Sequence, residues 1–306
     1  PNDTRYGEQQ HLPQIKAPEA WDLAQGDSAV VVAIIDTGTD WNHPDLAANI
    51  WRNPGEIVDG IDNDGNGYVD DIRGWDFVDN TEFVFPGEDG GDPDNDPMDF
   101  NGHGTHTAGL AGASTDNNAG VASVSWNIKI MPIRAGWHST LGLGFVDLVA
   151  VAQGFIYAAD NGADIANLSA GSDDMIADAA RYAFESGVLV TVSAGNGNNE
   201  LGDPLAIAPF ALSVAALDER DFKASYSTYG DWVKVAAPGG DQPAGRPGIL
   251  STVFDDDYDS YSGTSMAAPL AAGVAALLKS AHPDWSGLDI LYQIVGTTDN
   301  IDGMNP

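Results

Sequence analysis

Gly263-Thr264-Ser265-Met266-Ala267-Ala268-Pro269 presents a serine between a glycine turn and the start of a helix. From Ser265 to Leu278 the chain is crowded with alanine and glycine and carries no charge until Lys279. This helix is therefore expected to lie buried at the centre of the protein, where small residues permit close packing. Pro269 falls in its first turn, where a missing N–H costs little. Working outward, apolar runs at 30–35, 128–133, 164–168, 188–193, 211–216 and 233–236 read as buried strands. Helical spacing covers 144–161, 174–187, 264–281 and 286–296. Strands alternating with helices predict an α/β fold with a mostly parallel central sheet covered by helices on both faces. In such sheets function gathers at the carboxyl ends of the strands.

Two further segments complement the serine. Val32-Ala33-Ile34-Ile35-Asp36-Thr37-Gly38 is a strand ending in a carboxylate, and His103-Gly104-Thr105-His106 opens a second glycine-punctuated helix. A serine hydroxyl is nearly inert at neutral pH, so attack on a carbonyl needs a base to take its proton and a third group to orient that base. Each residue alone has an ordinary explanation: a strand-ending turn for Asp36, a helix N-cap for Ser265. His106 reads as a packed histidine, too close to His103 for the i, i+4 zinc pair of a metallopeptidase helix. Jointly, in the chain order Asp36, His103, Ser265 and at domain-scale spacing, they read as a nucleophilic triad.

On these three motifs the chain resembles the subtilases, the subtilisin-like serine peptidases, and among them the thermitase-like and other secreted bacterial members. The resemblance implies a three-layer subtilisin-like fold in one peptidase catalytic domain over 1–306. It also implies an endopeptidase in which Ser265 attacks, His103 carries the proton and Asp36 orients the imidazole. Val192-Ser193-Ala194-Gly195-Asn196-Gly197 follows an apolar strand. By resemblance Asn196 matches the family's oxyanion asparagine, acting with the Ser265 N–H; an Asn-Gly pair is otherwise a common turn. For an extended substrate peptide the resemblance assigns one edge to Ser169, Ala170 and Gly171, the opposite edge to Gly142 and Gly144, and the pocket floor to Gly202. That uncharged rim predicts tolerance for a large apolar or aromatic side chain immediately before the cut bond. Met266 adjoins the nucleophile, so its oxidation is expected to impair turnover.

Asp62-Asn63-Asp64-Gly65-Asn66-Gly67-Tyr68-Val69-Asp70-Asp71 places oxygen-bearing residues at alternate positions around a glycine turn, a pattern suited to a hard cation with many ligands. Structural Ca2+ is the natural candidate, held by Asp62, Asp64, Asn66, Tyr68, Asp70 and Asp71. Arg73 stands where an EF-hand loop has its last Glu, so a calcium-stabilised insertion is expected rather than a regulatory EF-hand. Resemblance to thermitase-like members implies a second calcium site from Asp3, Asp45 and Asn117 with the carbonyls of Ser114, Ala119 and Val121. A third acidic stretch, Glu88 to Asp99, reads equally as a calcium loop or as solvated chain.

Lys and Arg total 12 against 46 Asp and Glu, a formal net charge of −34 in 306 residues. Phosphates would be repelled, which disfavours nucleic-acid binding. No run of about 18 apolar residues argues for a membrane span. Either the surface is salt-adapted, with self-repulsion screened by ions, or the acids line calcium sites and loops. With no cysteine the compartment is not decided by disulfides. The family's amino-terminal prosegment and the start at Pro1 imply secretion after processing, with the prosegment as an earlier partner; a carboxyl-terminal segment is also expected to be missing. Protein or peptide substrates and a monomer are expected. Rival readings are an intracellular subtilisin, a dedicated processing peptidase, and a catalytically silent calcium-binding adhesion protein.

Overall fold

The computed structural model describes residues 1–301 apart from Asn80, Glu82, Phe83 and Gly142. Its strands are β1 Val31–Asp36, β2 Trp75–Asp76, β3 Lys129–Arg134, β4 Gly136–His138, β5 Gly144–Val146, β6 Ile165–Leu168, β7 Leu189–Ser193, β8 Leu212–Leu217, β9 Val235–Pro238, β10 Ile249–Val253 and β11 Asp257–Tyr261. Its α-helices are α1 His11–Gln14, α2 Ala17–Trp21, α3 His103–Gly112, α4 Leu148–Asp160, α5 Asp174–Glu185, α6 Thr264–Ala281 and α7 Gly287–Thr297.

Seven strands form one parallel sheet in the order β2-β3-β1-β6-β7-β8-β9. Side chains alternate between its faces along each strand. On β1, Val32 and Ile34 pack into the core beneath α3, α6 and α7, while Val31, Ala33 and Ile35 pack beneath α4 and α5. Both faces are thus buried, which is why the strands read as unbroken apolar runs. The same parity carries Asp36, the last residue of β1, onto the α3 and α6 side. The predicted strands and helices recur within about two residues, with one correction at 144–161. Residues 144–146 pair with β4 as an antiparallel hairpin, and α4 begins at Leu148 because the Asp147 side chain caps it, accepting from the N–H of Val149 (2.8 Å) and Ala150 (2.9 Å).

Helix α6 spans 18 residues with a mean hydropathy of 1.2, long and apolar enough to cross a membrane. Yet 72% of it is buried within the protein, packed over β6, β7, β8 and β9. It is the central core helix its small residues predicted. A second hairpin, β10 with β11, packs its first strand on α3.

Candidate active site

Helices α3 and α6 pack side by side, so their N-termini bring His103 and Ser265 to the same side of the molecule as the carboxyl end of β1. Asp36 is 3% exposed, and its Oδ1 lies 2.7 Å from His103 Nδ1. The same oxygen accepts the Thr37 N–H at 2.8 Å, and Oδ2 meets the Thr107 hydroxyl at 3.4 Å. A carboxylate can only accept, so Nδ1 carries the hydrogen and Nε2 is left as the basic nitrogen. The ring is 29% exposed. Burial alone would lower the imidazolium's pKa; the charge and hydrogen bond of Asp36, aided by the charge of Asp99, outweigh it and hold His103 above its ordinary value.

Gly104 must be glycine, because a Cβ there would stand 2.0 Å from the Gly38 carbonyl oxygen. The start of α3 is therefore pressed directly against the turn that follows Asp36. Beneath it lies Asp99, with no exposed surface. Asp99 accepts from the hydroxyl of Thr37 (3.0 Å), the N–H of Asn101 (2.8 Å), Gly102 (3.0 Å) and Thr105 (2.9 Å), and the Thr105 hydroxyl (2.6 Å). This carboxylate ties the first turn of α3 to the turn after β1. In the sequence it is only one acid in an acidic run. His106, also predicted to be packed, has no exposed surface. Its Nε2 faces the carbonyls of Ile249 and Asp259 at 3.0 and 3.2 Å, and burial lowers its pKa to about 3.

Ser265 is the second residue of α6, and Gly263, not Ser265, holds the N-cap position. Among the described residues its hydroxyl bonds not to His103 but to the Ser169 carbonyl, at 3.1 Å; hydrogen bonds of this kind often tighten only when substrate arrives. Asn196 Oδ1 accepts both the N–H and the hydroxyl of Thr264 at 3.0 Å. A backbone N–H can only donate, so the orientation of the amide is settled and Nδ2 is the end left over. That nitrogen lies 3.6 Å, and the Ser265 N–H nitrogen 3.5 Å, from the point where a Cβ on Gly263 would stand. Two donors accordingly flank one spot beside the serine.

The predicted substrate edges are placed as follows. Ser169 touches Ser265 through both carbonyl and side chain, and Ala170 and Gly171 continue from it. Asp203 Oδ2 accepts the Ser172 N–H at 3.4 Å and lies 3.3 Å from a Cβ built on Gly171. Gly144, on β5, lies against Asn101, whose side chain begins 3.2 Å from its Cβ position. Gly202 packs on Ile207 and Trp232, at 2.5 and 2.8 Å by the same measure. Gly142 lies outside the described residues.

Of the first predicted cation set, the structure gathers Asp62 and Asp64 with buried Glu56, their oxygens within 4.8 Å of one another. Glu56 was missed from sequence; it also accepts the N–H of Asn63 (2.6 Å) and Asp64 (3.0 Å). The other four lie in the same loop, where the Asn66 side chain also reaches Asp64 at 3.4 Å and the Asp70 N–H donates to Glu56 at 3.2 Å. Asn66 donates to Asp71 at 3.0 Å, and Tyr68 packs edge-on against Phe77 and Tyr157. Asp70 accepts from the N–H of Asp59 and Gly60, and buried Asp71 accepts the Tyr157 hydroxyl at 2.6 Å. Of the second set, Asp3, Asp45 and Asn117 come together, and Ser114, Ala119 and Val121 reach them through their N–H groups rather than their carbonyls. Asp3 accepts the Asp116 N–H at 3.0 Å and the Asn117 N–H at 3.4 Å. Asp45 accepts from the Asn117 side chain and the Val121 N–H, each at 2.8 Å, and its carbonyl takes the Ser114 N–H at 2.6 Å. The Ala119 N–H bonds the Asn117 side-chain oxygen at 2.7 Å. Asp3 and Asp45 are both buried, and burial together with the charge of Asp45 pushes the Asp3 carboxyl up. In the third acidic stretch, Glu88 pairs with buried Arg134 at 2.9 Å, and Asp76 completes that buried group.

A family model described as the Subtilase family matches residues 27–305. The chain is 39% identical over 307 aligned residues to Thermitase of Thermoactinomyces vulgaris, covering 99% of this chain and 93% of that protein. It is 38% identical to a Thermophilic serine proteinase of a Bacillus strain, covering 99% of this chain and 65% of that one. To the Halolysin-like extracellular serine protease Nep of Natrialba magadii it is 36% identical, covering 94% of this chain and 46% of that protein. The chain thus spans less than two thirds of two of these three relatives. A solved structure of a protease from Pseudoalteromonas arctica superposes with a TM-score of 0.81 at 32% identity, covering 98% of this chain and 93% of that one. With a seven-stranded parallel sheet between helical layers and these matches across nearly its whole length, the chain belongs to the Subtilase family, the subtilisin-like serine endopeptidases.

Proposed function

We propose that the chain is one peptidase domain that cuts peptide bonds through an acyl-enzyme on Ser265. The observation that carries this reading is the 2.7 Å contact between Asp36 and His103 Nδ1, which leaves Nε2 free to act as base beside the serine-bearing end of α6. Ser265 Oγ bonds to the carbonyl carbon as its proton passes to His103 Nε2. Asn196 Nδ2 and the Ser265 N–H donate to the oxyanion. His103 then gives the proton to the amine nitrogen, and the C–N bond breaks. Water then bonds to the acyl carbon as one of its protons passes to His103 Nε2, and His103 gives that proton to Ser265 Oγ as the ester C–O bond breaks and the carboxylic acid leaves. Asp36 stays ionised throughout, stabilising the imidazolium. Incubation with casein tests this directly: the wild-type chain degrades it, and Ser265→Ala does not.

The apolar edge of Ala170, Gly171 and Gly202 supports a large apolar or aromatic residue before the cut bond. The Asp203 carboxylate beside Gly171 supports a second reading, Lys or Arg at that position, and cleavage of a peptide library separates the two. Structural calcium is supported by the convergence of Glu56, Asp62 and Asp64 and by buried Asp3 and Asp45 held around Asn117. A cation at the latter pair would offset the repulsion of two carboxylates out of water. A relative named as extracellular supports secretion, with a prosegment removed on the way. The enzyme then acts on proteins as a monomer.

A further inference from the structure

Strand β6 carries an asparagine, Asn167, with no exposed surface. A polar amide in that setting is costly unless bonded. Its Oδ1 lies 3.0 Å from the Thr191 hydroxyl on β7, and its Nδ2 lies 3.0 Å from Ser169 Oγ. Ser169 Oγ in turn lies 3.0 Å from the carbonyl oxygen of Ser265. That carbonyl can only accept, so the Ser169 hydroxyl must donate to it and accept from Nδ2. Oδ1 then faces Thr191, whose contact with the Ala166 carbonyl is longer at 3.5 Å. The direction of all three bonds is set by the last of them.

The Ser265 carbonyl needs this donor for a reason written in the sequence. In a helix its partner would be the N–H four residues on, but residue 269 is proline and has none. The Ser169 hydroxyl stands in for the missing N–H. We infer that Thr191, Asn167 and Ser169 form a positioning relay that holds the backbone of Ser265 against the sheet. Asn196 grips the preceding residue through the Thr264 N–H, so the serine is clamped on both sides. No relay side chain touches reacting atoms. Thr191 and Asn167 act only through Ser169, and Ser169 acts through the Ser265 carbonyl. The inference rests on Ser265 being the nucleophile.

The test is a pair of double-mutant cycles read as kcat and KM on a chromogenic peptide amide. Ser169→Ala lowers kcat about 10-fold with KM unchanged, the scale of a small misplacement of a reacting group. Thr191→Val lowers kcat similarly and Thr191→Ser restores it, while Thr191→Val adds no further loss to Ser169→Ala. Pro269→Ala supplies the absent N–H, so Ser169→Ala combined with Pro269→Ala recovers kcat. This second cycle holds even if Thr191→Val fails to fold. Multiplicative losses, an unchanged kcat in Ser169→Ala, or no recovery with Pro269→Ala would each overturn the relay. A serine-directed phosphonate on Ser265 keeps the two readings apart: if it still labels Ser265, only the relay has failed; if it does not, the nucleophile assignment has.

Discussion

Replacing Asp99 by Asn separates the charge of this buried carboxylate from its shape. The amide oxygen can serve the Oδ2 side, where the N–H of Gly102 and Thr105 and the Thr105 hydroxyl arrive. The NH2 then faces the Thr37 hydroxyl, which can turn to accept, and the Asn101 N–H, which cannot. One donor loses its acceptor, a cost of about 1–2 kcal/mol, or a Tm lower by about 2–3 °C for a chain of this length. The catalytic consequence is a shift in pH dependence. In the proposed mechanism His103 works as the neutral base, so activity should be present above its pKa and lost as pH falls through it. Asp36 and Asp99 both raise that pKa, whereas His106, with a pKa of about 3, stays neutral throughout the working range. Removing the Asp99 charge should move the acid limb of kcat/KM to lower pH and reduce the plateau, because the imidazolium formed in the transition state loses a stabilising neighbour. Calorimetry and a pH–rate profile of both proteins check this. An acid limb that stays in place or moves to higher pH would refute the electrostatic reasoning.

Chelation by EDTA should lower Tm and expose the chain to self-digestion, with Ca2+ reversing both. At one hundredfold saturation of a site the shift is about 2.7 kcal/mol, or about 4 °C, and no change on chelation would remove calcium from the account. Raising NaCl from low to molar concentration should raise Tm by screening the net charge of −34; a flat or falling curve contradicts a salt-adapted surface. Oxidation of Met266, 2% exposed and next to Ser265, should lower kcat by making a packed thioether polar. Peptide mapping of the sulfoxide alongside an activity assay decides it, and full activity with Met266 oxidised would reject the idea.

The long buried elements were legible because a parallel strand covered on both faces must be a continuous apolar run. Ala33-Ile34-Ile35 and Leu189-Val190 could scarcely be read otherwise. The short ones were not. Two-residue β2 has no periodicity to detect, and the exposed acids of Asp257-Tyr258-Asp259-Ser260-Tyr261 disguise a hairpin strand as loop. In the site, Asp36, His103, Ser265 and Asn196 stood out because glycines mark where the backbone turns to present them. Glu56 did not, since its link to Asp62 and Asp64 is made by a fold-back within the loop, and Asp99 was hidden among acids whose burial no local pattern reveals. Asn167 carried a readable signal: an amide interrupting Ile165-Ala166-Leu168 in a buried strand needs partners, and partners inside a sheet are seldom idle.

The most direct measurement is to react the chain with a serine-directed phosphonate and locate the adduct by peptide mass spectrometry. The account predicts one adduct, on Ser265, formed rapidly by the wild-type chain and suppressed in His103→Ala. An adduct on another residue, or equal labelling of Ser265 without the imidazole, would contradict it.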